Sequence, residues 1–324
     1  MAADNTTGKP EIMVLNPVQP AVMAGLEARY HLLRADLAGP DNPTREAFIA
    51  QHGANVRALL SNGHTDLTIP MLDAMPKLAH VSCSSAGYDS MPAHELAARG
   101  IALSNASPAL RDDVADMGML LMLAASRNFT RAEAYVRSRD WAREGMFPLQ
   151  RSISGKRLGI VGMGSLGQAV AQRAEAFNMR ISYWNRRGKD TAYHYQPDLI
   201  RLAQASDILI LTVAGGPETT GLIGAEALAA LGPDGLLVNI ARGSVVDEEA
   251  LIAALKDGRL GHAALDVFAA EPDADPRLTS LGNVTLSPHH ASGTVEARRA
   301  MAELAAANLD AFMTGKPLIS PVAL

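Results

Sequence analysis

The sequence predicts an α/β protein with two doubly wound parallel sheets, one in a larger domain and one in a smaller domain. Three observations support this fold class. Short apolar runs alternate with helical patterns along almost the whole chain, as in successive β-α-β units. The chain has 324 residues, which is enough for two domains that each bury a core. Its composition, 48% hydrophobic and 19% charged, is typical of a globular protein.

The apolar runs fall into two series. Candidate strands of the first series lie at 12–15, 56–60, 80–83 and 101–103, and those of the second lie at 158–161, 179–184, 208–213, 236–240, 263–267 and 284–286. Six strands with helices between them make one complete doubly wound sheet, and the first series makes the smaller domain. A long helical stretch from about Pro108 to Arg137 and a polar segment up to Gly155 lie between the two series.

A final helical pattern covers about 295–313 and has no strand to lead into. We therefore expect this helix to cross back and complete the first domain, which makes that domain discontinuous. The predicted domains are 1–105 with 292–324 for the smaller one and 106–291 for the larger one.

Charge and cysteine content exclude several classes of protein. A formal net charge of −5 offers no basic surface for nucleic acid or for a membrane. The single cysteine, Cys83, cannot form a disulfide within the chain and is expected to pack in the core. Residues 1–10 lack an apolar signal core, and no apolar run is long enough to cross a bilayer. We expect a cytoplasmic protein that binds neither nucleic acid nor membrane.

A glycine-rich turn follows the first strand of the second series, and a helix-forming run follows the turn. Residues 162–167 read Gly-Met-Gly-Ser-Leu-Gly. In this context the first glycine permits a tight turn, the second lets the backbone approach a pyrophosphate, and the third lets the helix pack closely on the strand. The helix N-terminus supplies N–H groups for the phosphates. The pattern predicts a dinucleotide site at Gly162, Gly164, Ser165, Leu166 and Gly167, the alternative being a turn with no ligand.

The end of the next strand indicates which dinucleotide binds. An NAD site usually has a carboxylate there to bind the ribose 2′-hydroxyl, whereas this strand ends Trp-Asn-Arg-Arg at 184–187. Guanidinium groups bind a 2′-phosphate through charge-assisted hydrogen bonds. Asn185, Arg186 and Arg187 therefore favour NADP(H), the alternative being a solvated basic loop.

Three later strands of this series are followed by polar residues. Arg242, Glu271 and His289 come after successive strands, and the carboxyl ends of parallel strands face the cofactor crevice. Taken singly, the arginine could cap a helix, the glutamate could be a loop acid, and His290 is as available as His289. Taken together, the three residues predict a catalytic site.

The chemistry of these three groups is coherent. Reduction of a 2-oxo acid needs a hydride from the nicotinamide and a proton for the carbonyl oxygen, and histidine titrates in the right range to supply that proton. A carboxylate bound to the second ring nitrogen fixes the tautomer and favours the protonated ring. Arginine binds a substrate carboxylate and polarises its carbonyl. No cysteine–histidine ligand set is present, so we expect no metal.

Four segments together carry a resemblance that covers nearly the whole chain. The segments 162–167, 239–247, 264–272 and 287–292 resemble the fingerprints of the D-isomer-specific 2-hydroxyacid dehydrogenases. The resemblance implies a Rossmann dinucleotide domain inserted in a smaller flavodoxin-like substrate domain. It also implies Arg242, Glu271 and His289 as the catalytic trio, with His289 chosen because the family's histidine directly follows proline.

The resemblance implies further site residues. Ser85, Ala86 and Gly87 lie in the expected substrate loop, where the Ala86 and Gly87 N–H groups hold the substrate carboxylate. Asp266 is expected near the nicotinamide carboxamide, and further cofactor contacts are expected at Val213, Ile240 and Ala241. The arginine pair is similar to that of NADPH-preferring glyoxylate/hydroxypyruvate reductases and plant hydroxyphenylpyruvate reductases. In the former, a tryptophan from the neighbouring subunit reaches the active site, and Trp141 lies in the matching segment of this chain. The resemblance also implies a homodimer.

The expected activity is NADPH-dependent reduction of glyoxylate, hydroxypyruvate or a related 2-oxo acid to the D-2-hydroxy acid. Two alternatives stay open at this point. One is a dinucleotide-sensing protein similar to the family's transcriptional corepressors, which bind cofactor without turnover. The other is a reductase of an aromatic 2-oxo acid such as hydroxyphenylpyruvate, because pocket volume cannot be predicted from residue types.

Overall fold

The structure, a computed structural model, describes residues 8–324, and the expectation for residues 1–10 lies largely outside them. The chain divides into two units. The first contains the described residues up to Leu110 together with Thr294–Leu324, and the second contains Arg111–Gly293. The divisions therefore fall at 110/111 and 293/294, compared with 105/106 and 291/292 in the sequence-based assignment.

The first unit contains a parallel sheet of five strands. They are β1 (Glu11–Val14), β2 (His31–Arg34), β3 (Ala58–Ser61), β4 (His80–Cys83) and β5 (Ala102–Ser104), in the order β2-β1-β3-β4-β5. This is the strand order of flavodoxin-like doubly wound sheets, which confirms the predicted fold class. Strand β2 was not predicted because this edge strand has polar residues at both ends and gives no apolar run.

Four helices accompany these strands before the chain enters the second unit. They are α1 (Pro20–Arg29), α2 (Asn42–His52), α3 (Ile69–Asp73) and α4 (Ala93–Ala98). Side chains at their starts explain two of the boundaries: Asp41 accepts from the Thr44 N–H before α2, and Thr68 accepts from the Met71 N–H before α3. Cys83 is buried in the core of this unit, as predicted.

The second unit contains a parallel sheet of seven strands. They are β6 (Arg157–Val161), β7 (Arg180–Trp184), β8 (His194–Tyr195), β9 (Ile208–Leu211), β10 (Leu236–Asn239), β11 (His262–Leu265) and β12 (Val284–Leu286), in the order β12-β11-β10-β9-β6-β7-β8. The six predicted strands are present, and the short β8 extends one edge. Every residue of β9 and β10 is buried, because helices cover both faces of the sheet.

The remaining helices are α5 (Ser107–Arg127), α6 (Phe129–Arg137), α7 (Asp140–Glu144), α8 (Ser165–Glu175), α9 (Leu199–Gln204), α10 (Ala225–Leu231), α11 (Glu248–Lys256), α12 (Pro276–Thr279) and α13 (Val295–Met313). The expectation of one helical stretch over 108–137 was wrong at Asn128. That residue has φ 45°, in the left-handed region, so α5 ends there and α6 starts anew.

Helix α13 packs on β3 and β4 in the first unit. The Thr294 side chain caps its first turn by accepting from the Ala297 N–H at 3.0 Å. Small residues on its inner face permit a close approach to the sheet, and the Ser82 hydroxyl donates to the Ala305 carbonyl at 2.9 Å. Among residues 8–324, no helix is long and apolar enough to span a membrane.

The order of strands in the second sheet defines where a ligand crevice lies. From β6 the chain proceeds to β7 and β8 on one side, and then returns to β9, β10, β11 and β12 on the other side. The reversal lies between β6 and β9. In doubly wound sheets, ligands bind outside the carboxyl ends of the strands at this switch point.

Candidate active site and cofactor crevice

The glycine turn lies directly at the switch point, after β6. Gly162 has φ +105°, and a Cβ built on it would lie 2.8 Å from Val213 Cγ1 and 2.9 Å from the Val213 nitrogen. A side chain at this position is therefore excluded both by the backbone conformation and by Val213, which follows β9. The buried Thr212 hydroxyl donates to the Gly162 carbonyl at 2.6 Å and holds the turn in place.

The other two glycines of the turn differ in what surrounds them. A Cβ on Gly167 would lie 2.1 Å from the Gly162 carbonyl oxygen, so only glycine lets α8 approach the turn this closely. A Cβ on Gly164 would meet no atom within 4 Å, so this glycine borders open space. That space lies at the start of α8, where no side chain caps the helix and the first N–H groups can bind an anion. These residues fit the diphosphate of a dinucleotide.

The loop after β7 contains Asn185, Arg186 and Arg187. The Asn185 amide oxygen accepts from the Met163 N–H at 3.3 Å, and its amide nitrogen donates to the Arg187 carbonyl at 3.1 Å, so this side chain joins the loop to the glycine turn. The Tyr195 hydroxyl donates to the Asn185 carbonyl at 3.0 Å. Arg186 forms an ion pair with Glu218, a residue that sequence analysis did not select.

The strand-end residues Val213, Ile240 and Ala241 differ in exposure. Val213 lies against Gly162 and is half-buried, whereas Ile240 and Ala241 are buried. The Ile240 side chain packs under α5, since a Cβ on Gly118 would lie 2.9 Å from Ile240 Cδ1. Any contact of Ile240 with a cofactor therefore uses its backbone, and the side chain belongs to the core.

The structure brings His289 and Glu271 into direct contact. His289 Nδ1 lies 2.6 Å from Glu271 Oε2, and Glu271 Oε1 accepts from the Phe268 N–H at 3.0 Å. Both side chains are about one-third exposed, so the pair lies at a surface that a substrate can reach. With Nδ1 directed to the carboxylate, Nε2 is the ring atom that can exchange a proton with a ligand. His290, the sequence alternative, is exposed and packs on Gly293 instead.

Asp266 holds the loop that carries His289. Its carboxylate accepts from the Ser287 hydroxyl at 2.6 Å, the His290 N–H at 2.8 Å and the Ala291 N–H at 3.0 Å, and its carbonyl accepts from the His289 N–H at 2.7 Å. Asp266 is only 1% exposed. These bonds hold His289 at φ 50°, in the left-handed region that a non-glycine residue rarely adopts. Asp266 is therefore a positioning residue in this structure, and the expected contact with a nicotinamide stays a prediction.

Arg242 follows β10, next to the strand that leads to Glu271. The buried Asn239 shapes this turn: its amide nitrogen donates to the Arg242 carbonyl at 2.8 Å, and its oxygen accepts from the Ala241 N–H at 3.0 Å. A Cβ on Gly243 would lie 1.9 Å from the Phe268 carbonyl oxygen, so the loop of Arg242 is packed tightly on the loop of Glu271. Because β10, β11 and β12 are neighbours in the sheet, Arg242, Glu271 and His289 follow three adjacent strands.

A mostly apolar pocket of about 320 Å³ adjoins the histidine–glutamate pair. Besides the pair itself, its walls include Phe268, Pro272, Leu286 and Pro288. An apolar group of a bound molecule can enter this pocket without losing hydrogen bonds.

The expected substrate loop lies in the first unit, after β4. Its carbonyls are engaged: the Ala86 carbonyl accepts from Asn105 at 2.8 Å, and the Gly87 carbonyl accepts from the Cys83 thiol at 3.5 Å. The Ser85 hydroxyl accepts from the Gly63 N–H at 2.6 Å, so its side chain serves the loop's structure. Over residues 8–324, the Ala86 and Gly87 N–H groups donate no hydrogen bond to another residue.

Trp141 lies on the short helix α7 and is 63% exposed. Other large apolar side chains of the same part of the second unit are also exposed: Leu120, Phe129, Val136, Met146 and Leu149. Helix α6 buries none of its residues within the chain. Trp141 and these five side chains are all exposed within the second unit, and we call the six together the apolar surface of 120–149.

Sequence reasoning missed Thr212, Asn239 and Glu218. The first two are buried polar residues at strand ends, and a polar residue closing an apolar strand run is the signal that could have revealed them. Glu218 had no such signal, because an acidic residue in a loop is ordinary.

The chain matches one family model and is similar to known proteins over nearly its whole length. A family model described as "D-isomer specific 2-hydroxyacid dehydrogenase, NAD binding domain" matches residues 119–291. The hydroxyphenylpyruvate reductase of Plectranthus scutellarioides is 41% identical over 312 residues, which cover 96% of this chain and 98% of the relative. A glyoxylate/hydroxypyruvate reductase of Arabidopsis thaliana is 40% identical over 312 residues, with the same coverage of the two chains.

A solved structure is similar over nearly its whole length. The NADPH-dependent glyoxylate/hydroxypyruvate reductase of Sinorhizobium meliloti, in complex with NADP and malonate, superposes with a TM-score of 0.86 and 37% identity. The match covers 97% of each chain.

Proposed function

Because the chain belongs to the D-isomer-specific 2-hydroxyacid dehydrogenase family, we propose that it reduces a small 2-oxo acid, such as glyoxylate or hydroxypyruvate, to the D-2-hydroxy acid with NADPH. One observation carries the proposal. It is the 2.6 Å contact between His289 Nδ1 and Glu271 Oε2 at a partly exposed strand end. A histidine so oriented can deliver a proton from Nε2 to a carbonyl oxygen.

We assign the residues the following roles. Bound NADPH supplies the hydride for the carbonyl carbon. His289 protonates the developing alkoxide, and Glu271 keeps the imidazole in the orientation and tautomer that this requires. The Arg242 guanidinium binds the substrate and stabilises negative charge on the oxygen. The N–H groups of Ala86 and Gly87 donate to the substrate carboxylate, which is supported by their lack of another acceptor among residues 8–324.

The choice of NADPH is supported by the loop after β7. The glycine turn accommodates the diphosphate, and Arg186 and Arg187 follow a strand with no acidic residue at its end. A guanidinium pair attracts a 2′-phosphate, whereas a carboxylate would repel it. The similar Sinorhizobium meliloti enzyme has been solved with NADP.

The apolar surface of 120–149 supports a homodimer. Six large apolar side chains exposed on one segment are unusual for a monomer and typical of an interface core. We propose that a second copy of the chain covers this surface and that Trp141 of one subunit serves the active site of its partner.

We also propose a cytoplasmic location. The single, buried cysteine and the absence of disulfides are compatible with it.

A second candidate activity is reduction of an aromatic 2-oxo acid. The apolar pocket beside His289, about 320 Å³ in volume, favours it because a phenyl ring can be buried there. The similar Plectranthus scutellarioides protein is a hydroxyphenylpyruvate reductase.

A panel of 2-oxo acids tests the proposal and separates the two candidates. Glyoxylate, hydroxypyruvate, phenylpyruvate and hydroxyphenylpyruvate are each assayed by oxidation of NADPH and then of NADH. A higher kcat/KM for the two small acids with NADPH supports the main proposal, and a higher value for the aromatic acids supports the second. Tight NADPH binding with no turnover on any acid would contradict both and would indicate a dinucleotide-sensing protein.

A further inference from the structure

Arg186 and Glu218 form an ion pair between two loops at the cofactor crevice. Both side chains are highly exposed, 73% for the arginine and 71% for the glutamate. An ion pair so exposed contributes little to stability and exchanges partners readily, because water screens the two charges. The pair can therefore be replaced by a stronger interaction without cost to the fold.

The sheet topology gives this ion pair a specific position. Arg186 follows β7, Glu218 lies in the loop after β9, and β6 lies between these two strands in the sheet. Adjacent strands are about 4.8 Å apart, so the two loops start on either side of the glycine turn that follows β6. The ion pair thus joins the two loops that flank the dinucleotide turn at the switch point of the sheet.

Each of the two loops has hydrogen bonds of its own besides the ion pair. The Thr219 hydroxyl donates to the Ala214 carbonyl at 2.8 Å, and the Thr220 hydroxyl donates to the Gly216 carbonyl at 3.0 Å, which holds the loop of Glu218. The loop of Arg186 is held by Asn185 and Tyr195. Because these hydrogen bonds support each loop, the exposed ion pair can open when a ligand binds at the crevice.

We propose that Glu218 sets the strength of NADPH binding by competing with the cofactor's 2′-phosphate for the Arg186 guanidinium. This inference rests on the proposed role of Arg186 in binding that phosphate. A phosphate monoester carries about −1.5 to −2 charge near pH 7 and three acceptor oxygens, so it displaces a single carboxylate. A cofactor with a plain 2′-hydroxyl has no charge to displace Glu218, so its binding is insensitive to this residue.

The test measures binding of two adenosine probes to the full chain by calorimetry. Adenosine 2′,5′-bisphosphate contains the 2′-phosphate, and adenosine 5′-monophosphate lacks it. We expect Glu218→Gln to lower the Kd of the bisphosphate about 2- to 5-fold, the range for an exposed ion pair, and to leave the Kd of the monophosphate unchanged. Glu226→Gln, which removes the same charge from an exposed position on α10, is the matched control and is expected to change neither Kd.

The Arg186→Ala background separates this inference from the proposed function. In that background, Glu218→Gln is expected to have no effect, because the contested guanidinium is gone. If Arg186→Ala does not weaken the bisphosphate selectively, the proposed role of Arg186 fails. If Arg186→Ala selectively weakens binding of the bisphosphate but Glu218→Gln does not strengthen it, only the proposed competition by Glu218 fails. Stronger bisphosphate binding in Glu218→Gln would also overturn the proposed competition if it persists in the Arg186→Ala background or if Glu226→Gln reproduces it. In either case the effect comes from removal of a negative charge in general.

Discussion

His289 and Glu271 are 18 positions apart in the chain, yet Nδ1 of the first lies 2.6 Å from Oε2 of the second. They meet because the strands that precede them, β12 and β11, are neighbours in the sheet. The contact commits Nδ1 to the carboxylate, and Nε2 is the ring atom that we propose for proton transfer to the substrate.

Replacement of His289 by alanine is expected to lower kcat about 10²- to 10⁴-fold, the usual contribution of a general acid. The Kd of NADPH should remain close to that of the wild type, since the histidine is proposed to act on the substrate. Steady-state kinetics and a fluorescence titration measure the two quantities. His290→Ala is the matched control, and a loss of rate in His290→Ala with a normal rate in His289→Ala would overturn the assignment.

Asp266→Asn is expected to destabilise the loop that carries His289 and to leave the glycine turn unchanged. The aspartate accepts from two N–H groups and a hydroxyl while almost fully buried, and an amide NH₂ would face one of those donors. We expect a loss of about 1–3 kcal/mol in the free energy of unfolding. The free energy of unfolding, measured with a denaturant, and kcat should both be lower than in the wild type. Asp273→Asn, an exposed change in the neighbouring loop, serves as control; equal stability of the two variants would argue against the role of Asp266.

Two glycine-to-alanine changes in the turn should have different consequences. Gly167→Ala places a Cβ 2.1 Å from the Gly162 carbonyl oxygen, so we expect destabilisation of about 1–3 kcal/mol. Gly164→Ala meets no atom within 4 Å and should fold normally, but its methyl group occupies the space proposed for the diphosphate. Thermal unfolding distinguishes the first effect and the NADPH Kd the second. Normal NADPH affinity in Gly164→Ala would count against the proposed cofactor position.

His80 should make the protein less stable in mild acid. Burial lowers the pKa of His80 from 6.5 to about 4, while its Nε2 lies 2.9 Å from the Ser104 hydroxyl. At His80 the unfolded chain therefore binds a proton at a higher pH than the folded chain does. The stability that depends on neutral His80 is fully present above pH 6.5 and is lost as the pH drops toward 4. The loss attributable to this residue amounts to at most about 3 kcal/mol.

Urea unfolding at a series of pH values measures this effect. His80→Gln is expected to retain a partner for Ser104 and to reduce the acid-dependent loss of stability. His52→Gln, at an exposed position, should behave as the wild type does. If His80→Gln loses stability with pH as steeply as the wild type, the buried histidine is not responsible.

The proposed homodimer predicts that polar changes on the apolar surface of 120–149 will dissociate the subunits. Phe129→Ser and Leu149→Ser replace two exposed apolar side chains of that surface. Sedimentation velocity should show a dimer for the wild type and a shift toward monomer for the double variant. Leu37→Ser, at an exposed apolar position in the first unit, is the control. A monomeric wild type would contradict the proposal directly.

Local patterns were sufficient to predict most of the fold. The runs that became β4 and β12 were predicted at their observed bounds, because the strands of an α/β protein lie in the sequence as short runs between helical patterns. Strand β2 was missed since two of the four residues of this edge strand are polar. The break between α5 and α6 was missed since the left-handed φ of Asn128 leaves no mark in the hydrophobic pattern.

Residue types and their spacing were enough to predict the two-sheet fold class, the glycine turn, and the positions of Arg242, Glu271 and His289 after successive strands. These features depend on residue type and spacing within single β-α units. Three contacts are visible only in the folded structure: His289 rather than His290 contacts Glu271, the Asp266 carboxylate holds the loop of His289, and Glu218 faces Arg186. Each of these contacts joins residues 18 or more positions apart, so it depends on the order of strands in the sheet, which no local pattern encodes.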